Sequence, residues 1–178
     1  MKKGFTLIEL VIVIAILAIL ASVVVLTLNP AQLMAQARDS QRISDLGSIK
    51  SAIALYMATA STPAIAANGP FAMVSTVCTG YFSTGTCTVN ASTTVDGTGW
   101  VRIVLTGTTG GSPLSALPSD PTNSATYQYA FMGDTTNLVY KLVGKLESTK
   151  YGNTTNGPMA TDGGNNVSNY EIGTNLAL

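Results

Sequence analysis

Between Phe5 and Leu28 the chain is apolar at every position except Thr6, Glu9, Ser22 and Thr27. At about 1.5 Å of helix rise per residue, a run of that length crosses a hydrocarbon core of about 30 Å. One membrane-spanning helix is therefore predicted, and the rest of the chain has to fold beyond it. The charges ahead of the run are Lys2 and Lys3, so the positive-inside bias keeps the N-terminus cytoplasmic and sends the remainder outward. An ordinary secretory leader is the competing reading, with Ala35-Gln36-Ala37 as its small-residue cleavage site. The apolar core of such a leader spans only about 7 to 15 residues, and here the run passes directly into a second helical pattern.

That second pattern begins after Asn29-Pro30, where proline removes a backbone donor and should loosen or kink the helix. Met34, Ala37, Ile43, Leu46, Ile49, Ile53 and Tyr56 follow at mostly helical steps of three and four. Arg38, Asp39, Arg42, Asp45 and Lys50 occupy much of the remaining surface, and the charges are expected to be solvated or to touch neighbouring subunits. Around Ala60 the composition turns to Thr, Ser, Gly and Asn with frequent proline, which ends the helix. Alternating stretches at 99–105, 125–132 and 138–147 predict antiparallel strands. In the last, Leu138, Tyr140, Leu142 and Leu146 share the face expected to pack on the amphipathic helix. Lys141, Lys145 and Glu147 are assigned to a solvated face.

Chemistry is limited by what the chain lacks. It contains no histidine, which removes Ser-His-Asp triads and histidine metal sites. Asp96, Asp120, Asp134, Asp162 and Glu171 are scattered through polar, turn-like sequence and read as solvated or turn-forming. An enzyme is not expected. After residue 60 there are four basic and six acidic side chains, so nucleic acid finds no electrostatic footprint. Cys78 and Cys87 lie in the part expected outside the membrane, where thiols oxidise, and a disulfide is predicted between them.

Lys2-Lys3-Gly4 followed by Phe5-Thr6-Leu7-Ile8-Glu9-Leu10 and the apolar run resembles the class III signal of bacterial type IV pilins and type II secretion pseudopilins. The resemblance implies cleavage between Gly4 and Phe5 by a prepilin peptidase and methylation of the new amine. It also implies an α+β pilin fold, with a long N-terminal helix packed on an antiparallel sheet head. Ala37-Arg38-Asp39 and Asp45-Leu46 through Tyr56 are similar to the amphipathic helix of these subunits. Leu117-Pro118-Ser119-Asp120-Pro121, Tyr127 to Tyr129 and Tyr140-Lys141-Leu142 resemble the sheet region of major pseudopilins. Two departures leave pilus and secretion pseudopilus both open: Thr122-Asn123 replaces the usual Trp-Gly, and Pro30 sits a turn later than the usual helix proline. Major pseudopilins hold calcium in a C-terminal loop. Here Asp162-Gly163-Gly164-Asn165-Asn166 is the corresponding candidate, with Asp162 as its carboxylate and an Asp-Gly turn as the alternative.

These readings divide the chain into a leader (1–4), a transmembrane and filament-core helix (5–28), an amphipathic helix (29–60) and an extracytoplasmic β-rich head (61–178). The function expected is that of a structural subunit of a type IV pilus-like filament. A pseudopilin, or an exported adhesin or enzyme with an ordinary leader, are the alternatives. Expected partners are further copies of the chain in a helical filament, the prepilin peptidase and an inner-membrane assembly platform. The precursor is expected in the inner membrane, and the filament at the surface or within the envelope. Glu9 is expected to meet the α-amine that cleavage creates on Phe5, since an unpaired charge at membrane depth costs a few kcal/mol.

Overall fold

A computed structural model of the protein describes residues 4–83 and 85–178, with only the backbone described at position 26. Lys2 and Lys3 lie outside the described residues. Helix α1 (Leu7–Leu28) starts at a capping box: the Thr6 hydroxyl accepts from the Glu9 N–H, and the Glu9 side chain accepts from the Thr6 N–H. The box satisfies two of the donors that a helix start leaves unpaired. Asn29 then adopts left-handed geometry at φ 41°. It ends α1, and its Oδ1 accepts from the Gln32 N–H to start helix α2 (Pro30–Thr59). Pro30 thus occupies the first position of a new helix, where a missing N–H costs nothing. The result is a break between two helices rather than a kink within one.

The head is a five-stranded sheet with spatial order β2-β1-β3-β4-β5. Its strands are β1 (Gly69–Ala72), β2 (Thr88–Val89), β3 (Tyr129–Asp134), β4 (Val139–Gly144) and β5 (Tyr170–Gly173). All pairings are antiparallel except β1 with β2, and Phe131 faces Leu142 across the central hairpin. The architecture is α+β and consistent with the expected type IV pilin fold.

Leu46, Ile49, Ile53 and Tyr56 of α2 pack on Trp100, Tyr129, Phe131, Tyr140 and Leu142 in one buried cluster. Trp100 is fully buried, and its Nε1–H donates to the Pro118 carbonyl at 3.2 Å. The sheet's other face is covered as well. Ala72, Ala130 and Val143 lie beneath Tyr81, Phe82 and the bonded pair Cys78–Cys87.

Three strand expectations shift. Residues 99–105 make isolated bridges, Ile65 with Ile103 and Asp96 with Val104, and end in a 3-10 turn at Leu105–Gly107. Trp100, Val101, Ile103 and Leu105 are all fully buried, so the segment threads the core rather than presenting one face to solvent. The stretch at 125–132 enters the sheet only at Tyr129, because Ser124 and Tyr127 close a turn before it. The stretch at 138–147 leaves the sheet after Gly144, and the Glu147 and Ser148 N–H groups donate to the Asp39 carboxylate instead. Lys141, expected in solvent, is 1% exposed because the second face is covered.

With the disulfide anchoring that cover, alkylation of intact cells without reductant should label neither Cys78 nor Cys87. Replacing both by alanine should cost about 2 to 3 kcal/mol of head stability, read as a lower thermal midpoint of the detergent-solubilised protein. Free thiols at both positions would contradict the assignment.

Candidate assembly surface

From Leu7 to Val25 no residue of helix α1 is buried, and the segment is long and apolar enough to cross a membrane. Its polar side chains are satisfied from within. Ser22 donates to the Ile19 carbonyl and Thr27 to that of Val23. Glu9 Oε2 accepts from both the N–H and the hydroxyl of Thr6, each at 2.8 Å. Gly4 is exposed and lies outside any helix or strand, and a Cβ built on it would meet nothing within 4 Å. Packing therefore does not explain the glycine. Phe5 is 87% exposed.

Helix α2 reverses the usual arrangement of a surface helix, since its charges point inward. The expected stripe continues N-terminally from Leu46 through Arg42 and Asp39, both 0% exposed, while Met34 and Ala37 are turned outward. Arg42 Nε and Nη2 donate to the two oxygens of Asp120 at 2.7 and 2.9 Å. Its Nη1 donates to Asp39 at 2.9 Å and to Glu147 at 2.6 Å. The Tyr127 ring lies 5.1 Å from its guanidinium carbon. Arg38 grips Glu147 with two further bonds of 2.7 and 2.8 Å. The Arg38 bond, opposed by partial burial and aided by Arg42, holds the Glu147 carboxyl down at about 2. Burial raises Asp45, partly offset by the Tyr129 hydroxyl that donates to it at 2.8 Å. These charges were expected in solvent or against other subunits. Arg38 and Arg42 instead pair with Asp39, Asp120 and Glu147, and Asp45 with the Tyr129 hydroxyl, and an unpaired charge in such a site would be expensive.

The outward face of α2 carries Leu33, Met34, Ala37, Gln41, Ser44, Ser48, Ser51 and Leu55, and Lys50 is the one exposed charge of the helix. Ser40, Ser48, Ser51 and Thr59 each donate to the carbonyl four residues back. With the Ser48 and Ser51 hydroxyls folded onto the helix, the demand of this face for water is reduced to Gln41 and Ser44. Small side chains also let a second helix approach closely. Between this face and Leu114 lies an open groove of about 580 Å³ lined by Ser44, Gly47, Ser48, Ser51 and Leu55. A surface whose exposed charges are Glu9 and Lys50 thus runs from α1 along α2.

The calcium candidate has a different occupation. Both oxygens of Asp162 are engaged by backbone donors, Gly164 N–H at 2.8 Å and Glu171 N–H at 2.7 Å. Among the described residues, no group of three or more Asp, Glu, Cys or His could hold a metal ion. The Lys141 ammonium lies inside that loop, 2.6 Å from Glu171 Oε1. Glu171 is fully buried, and Asp120 is 3% exposed. Glu171 is not the solvated or turn-forming residue expected, whereas Asp120, though buried, forms a turn by accepting from the Thr122 and Asn123 N–H groups. Asp96 and Asp134 do form turns, accepting from Thr98 N–H and from Thr136 N–H. For Asp39 and Arg42 a sequence signal existed: they stand three and four residues apart in line with Leu46, Ile49, Ile53 and Tyr56.

Residues 1–25 match the prokaryotic N-terminal methylation motif, the class III prepilin signal. No curated protein and no solved structure matches the chain. The motif, joined to the exposed apolar helix and the α+β head, supports a type IV pilin-like or pseudopilin protein. With the apolar helix it suggests a membrane-anchored precursor, and the motif itself implies processing by a prepilin peptidase and filament assembly.

Arg42→Met should cost more than about 3 kcal/mol, because it leaves Asp39 and Asp120 buried without their cation. Thermal unfolding of the detergent-solubilised protein reads this. The Glu147 carboxyl is lowered from 4.5 to about 2 in the folded state. Its contribution is therefore fully present above pH 4.5 and is lost as pH falls toward 2. Glu147→Gln should flatten that acid limb of the stability profile. An unchanged limb would contradict the assignment.

Proposed function

We propose that the protein is the structural subunit of a type IV pilus-like filament, cut between Gly4 and Phe5 and polymerised through its N-terminal helices. The observation that carries this reading is the exposed apolar surface of α1, charged only at Glu9, and the outer face of α2, left bare while every charge of α2 but Lys50 is turned toward the head. A membrane can cover α1. It cannot cover the outer face of α2 over its full length beyond the bilayer, whereas the helices of neighbouring copies can cover both. In the filament, residues 5–28 form the core, residues 29–60 the shell around it, and residues 61–178 the exterior, after removal of leader residues 1–4.

Glu9 sets the axial offset between copies. Before cleavage its carboxylate is held by Thr6 of its own chain. Cleavage adds a cationic α-amine at Phe5. A neighbouring copy staggered along the axis brings that amine to Glu9, so that two charges costly at membrane depth neutralise each other. Secretion pseudopilin is the second reading. It is favoured by the Leu117–Pro121 segment, whose Asp120 seats on Arg42, and it uses the same surfaces in a filament confined to the envelope.

Glu9→Ala should be inserted and cleaved yet yield at least ten-fold less sheared filament when it is the only subunit, with Glu9→Asp intermediate. Filament and membrane-held subunit are quantified separately by immunoblot. Wild-type filament yield from Glu9→Ala would sink the pairing. Gly4→Leu should accumulate as uncut precursor, and normal processing of that variant would overturn the cleavage assignment.

A further inference from the structure

Lys141 is the one lysine of the described residues that is buried, and the assembly surface makes no use of it. β4 aims it into the C-terminal loop, beneath the disulfide segment, where the Phe82 ring lies 5.8 Å from Nζ. Glu171 Oε1 is 2.6 Å from Nζ, as an ion pair. Nζ donates to Asn165 Oδ1 at 3.1 Å and to the Leu178 main-chain oxygen at 3.3 Å. The loop is shaped around this group. Glu171 Oε2 accepts from the Asn166 N–H at 3.2 Å, and any side chain at Gly164 would collide with the Glu171 carboxylate. Asn165 is exposed on its outer side.

The three side chains are a nucleophile, an acyl group and a proton carrier. An amine in hydrogen-bond contact with a carboxamide oxygen is one small side-chain rotation from its carbonyl carbon, and fixed proximity of this kind replaces a large part of a reaction's entropic cost. Glu171 Oε1 lies 2.6 Å from the amine as an ion pair without hydrogen-bond geometry, and Oε2 is held by the Asn166 N–H, so a small rotation of the carboxylate brings it into position as a general acid and base. We infer that Lys141 and Asn165 form an intramolecular amide cross-link, with Glu171 carrying the protons.

The step balances without any outside reagent. Nζ gives a proton to Glu171 and attacks Cγ of Asn165, so the Nζ–Cγ bond forms. The Cγ–Nδ2 bond then breaks. Of the three Nζ protons, one remains on the new amide, and two pass by way of Glu171 to Nδ2, which departs as ammonium through the exposed side of Asn165. Glu171 is left as a carboxylate. The product ties β4 to the loop ahead of β5 and locks the C-terminal segment to the sheet independently of Cys78–Cys87. For a subunit loaded in tension, the bond resists peeling of the edge strand.

Intact-mass spectrometry of the full-length or mature protein, after reduction of the disulfide, decides the inference. The mass expected is that of the chain less one ammonia. Trypsin should fail to cut after Lys141 and should give a branched peptide joining residues 103–145 to residues 151–178. Glu171→Gln and Lys141→Arg should both restore the full mass. Wild-type protein at full mass, with residues 151–178 recovered as a linear peptide, overturns the inference without reference to any variant. Ammonia loss that persists in Lys141→Arg also overturns it, because it would come from ring closure at Asn165 alone. The filament reading is untouched by either result.

Discussion

One guanidinium holds the two halves of the molecule in register. Arg42 lies on the buried side of α2, and the groups that meet it come from separate parts of the chain: Asp39 one turn earlier, Asp120 and Thr122 from the loop before β3, and Glu147 from the segment after β4. Apolar contacts between Leu46, Ile49, Ile53 and the sheet are non-directional and would tolerate sliding. The charge cluster would not, because a shift of one helical turn strands a buried carboxylate. Asp39 extends the same constraint into the backbone by accepting from the Glu147 and Ser148 N–H groups. The head therefore sits at a fixed height and rotation on its helix.

That fixed docking gives the outer surface its character. Since the charges of α2 are consumed by the head, the opposite side can remain small and neutral. The hydroxyls of Ser40, Ser48 and Ser51, which would otherwise seek water, are bonded to their own helix. α1 meets the same standard, with Ser22 and Thr27 satisfied internally. Asn29 breaks the helix between them without adding a charge. The two surfaces suit one environment after another: lipid around α1 in the stored precursor, then other helices around both in a polymer. An enzyme or adhesin released after Ala37 would discard α1 and expose the outer face of α2 to water with no partner.

Much of this was legible in the sequence. The apolar run, its single carboxylate at Glu9 and the bond between Cys78 and Cys87 follow from residue type and spacing. So does the apolar half of the α2 stripe, from Leu46 to Tyr56. The polar half was misread, because a charge at a core position looks like a charge on a surface until its partners are known. Asp120 and Glu147 lie 78 and 105 residues from Arg42, beyond any local pattern. Lys141 was misassigned for a related reason. Alternation in β4 separates two faces correctly but does not reveal that a disulfide loop and the C-terminal segment cover the second. Strands as short as β1, β2 and β5, two of them carrying Gly and one a Pro, lack the length for an alternating signal to emerge.

The central claim is that this chain is built to pack against copies of itself through α1 and the outer face of α2. It is tested most directly by mass spectrometry of fibres sheared from cells that express it. The account predicts a major component of those fibres that begins at an N-methylated Phe5 and retains residues 5–37. Fibres lacking the chain, with the protein recovered instead as a soluble product beginning at Arg38, would contradict it.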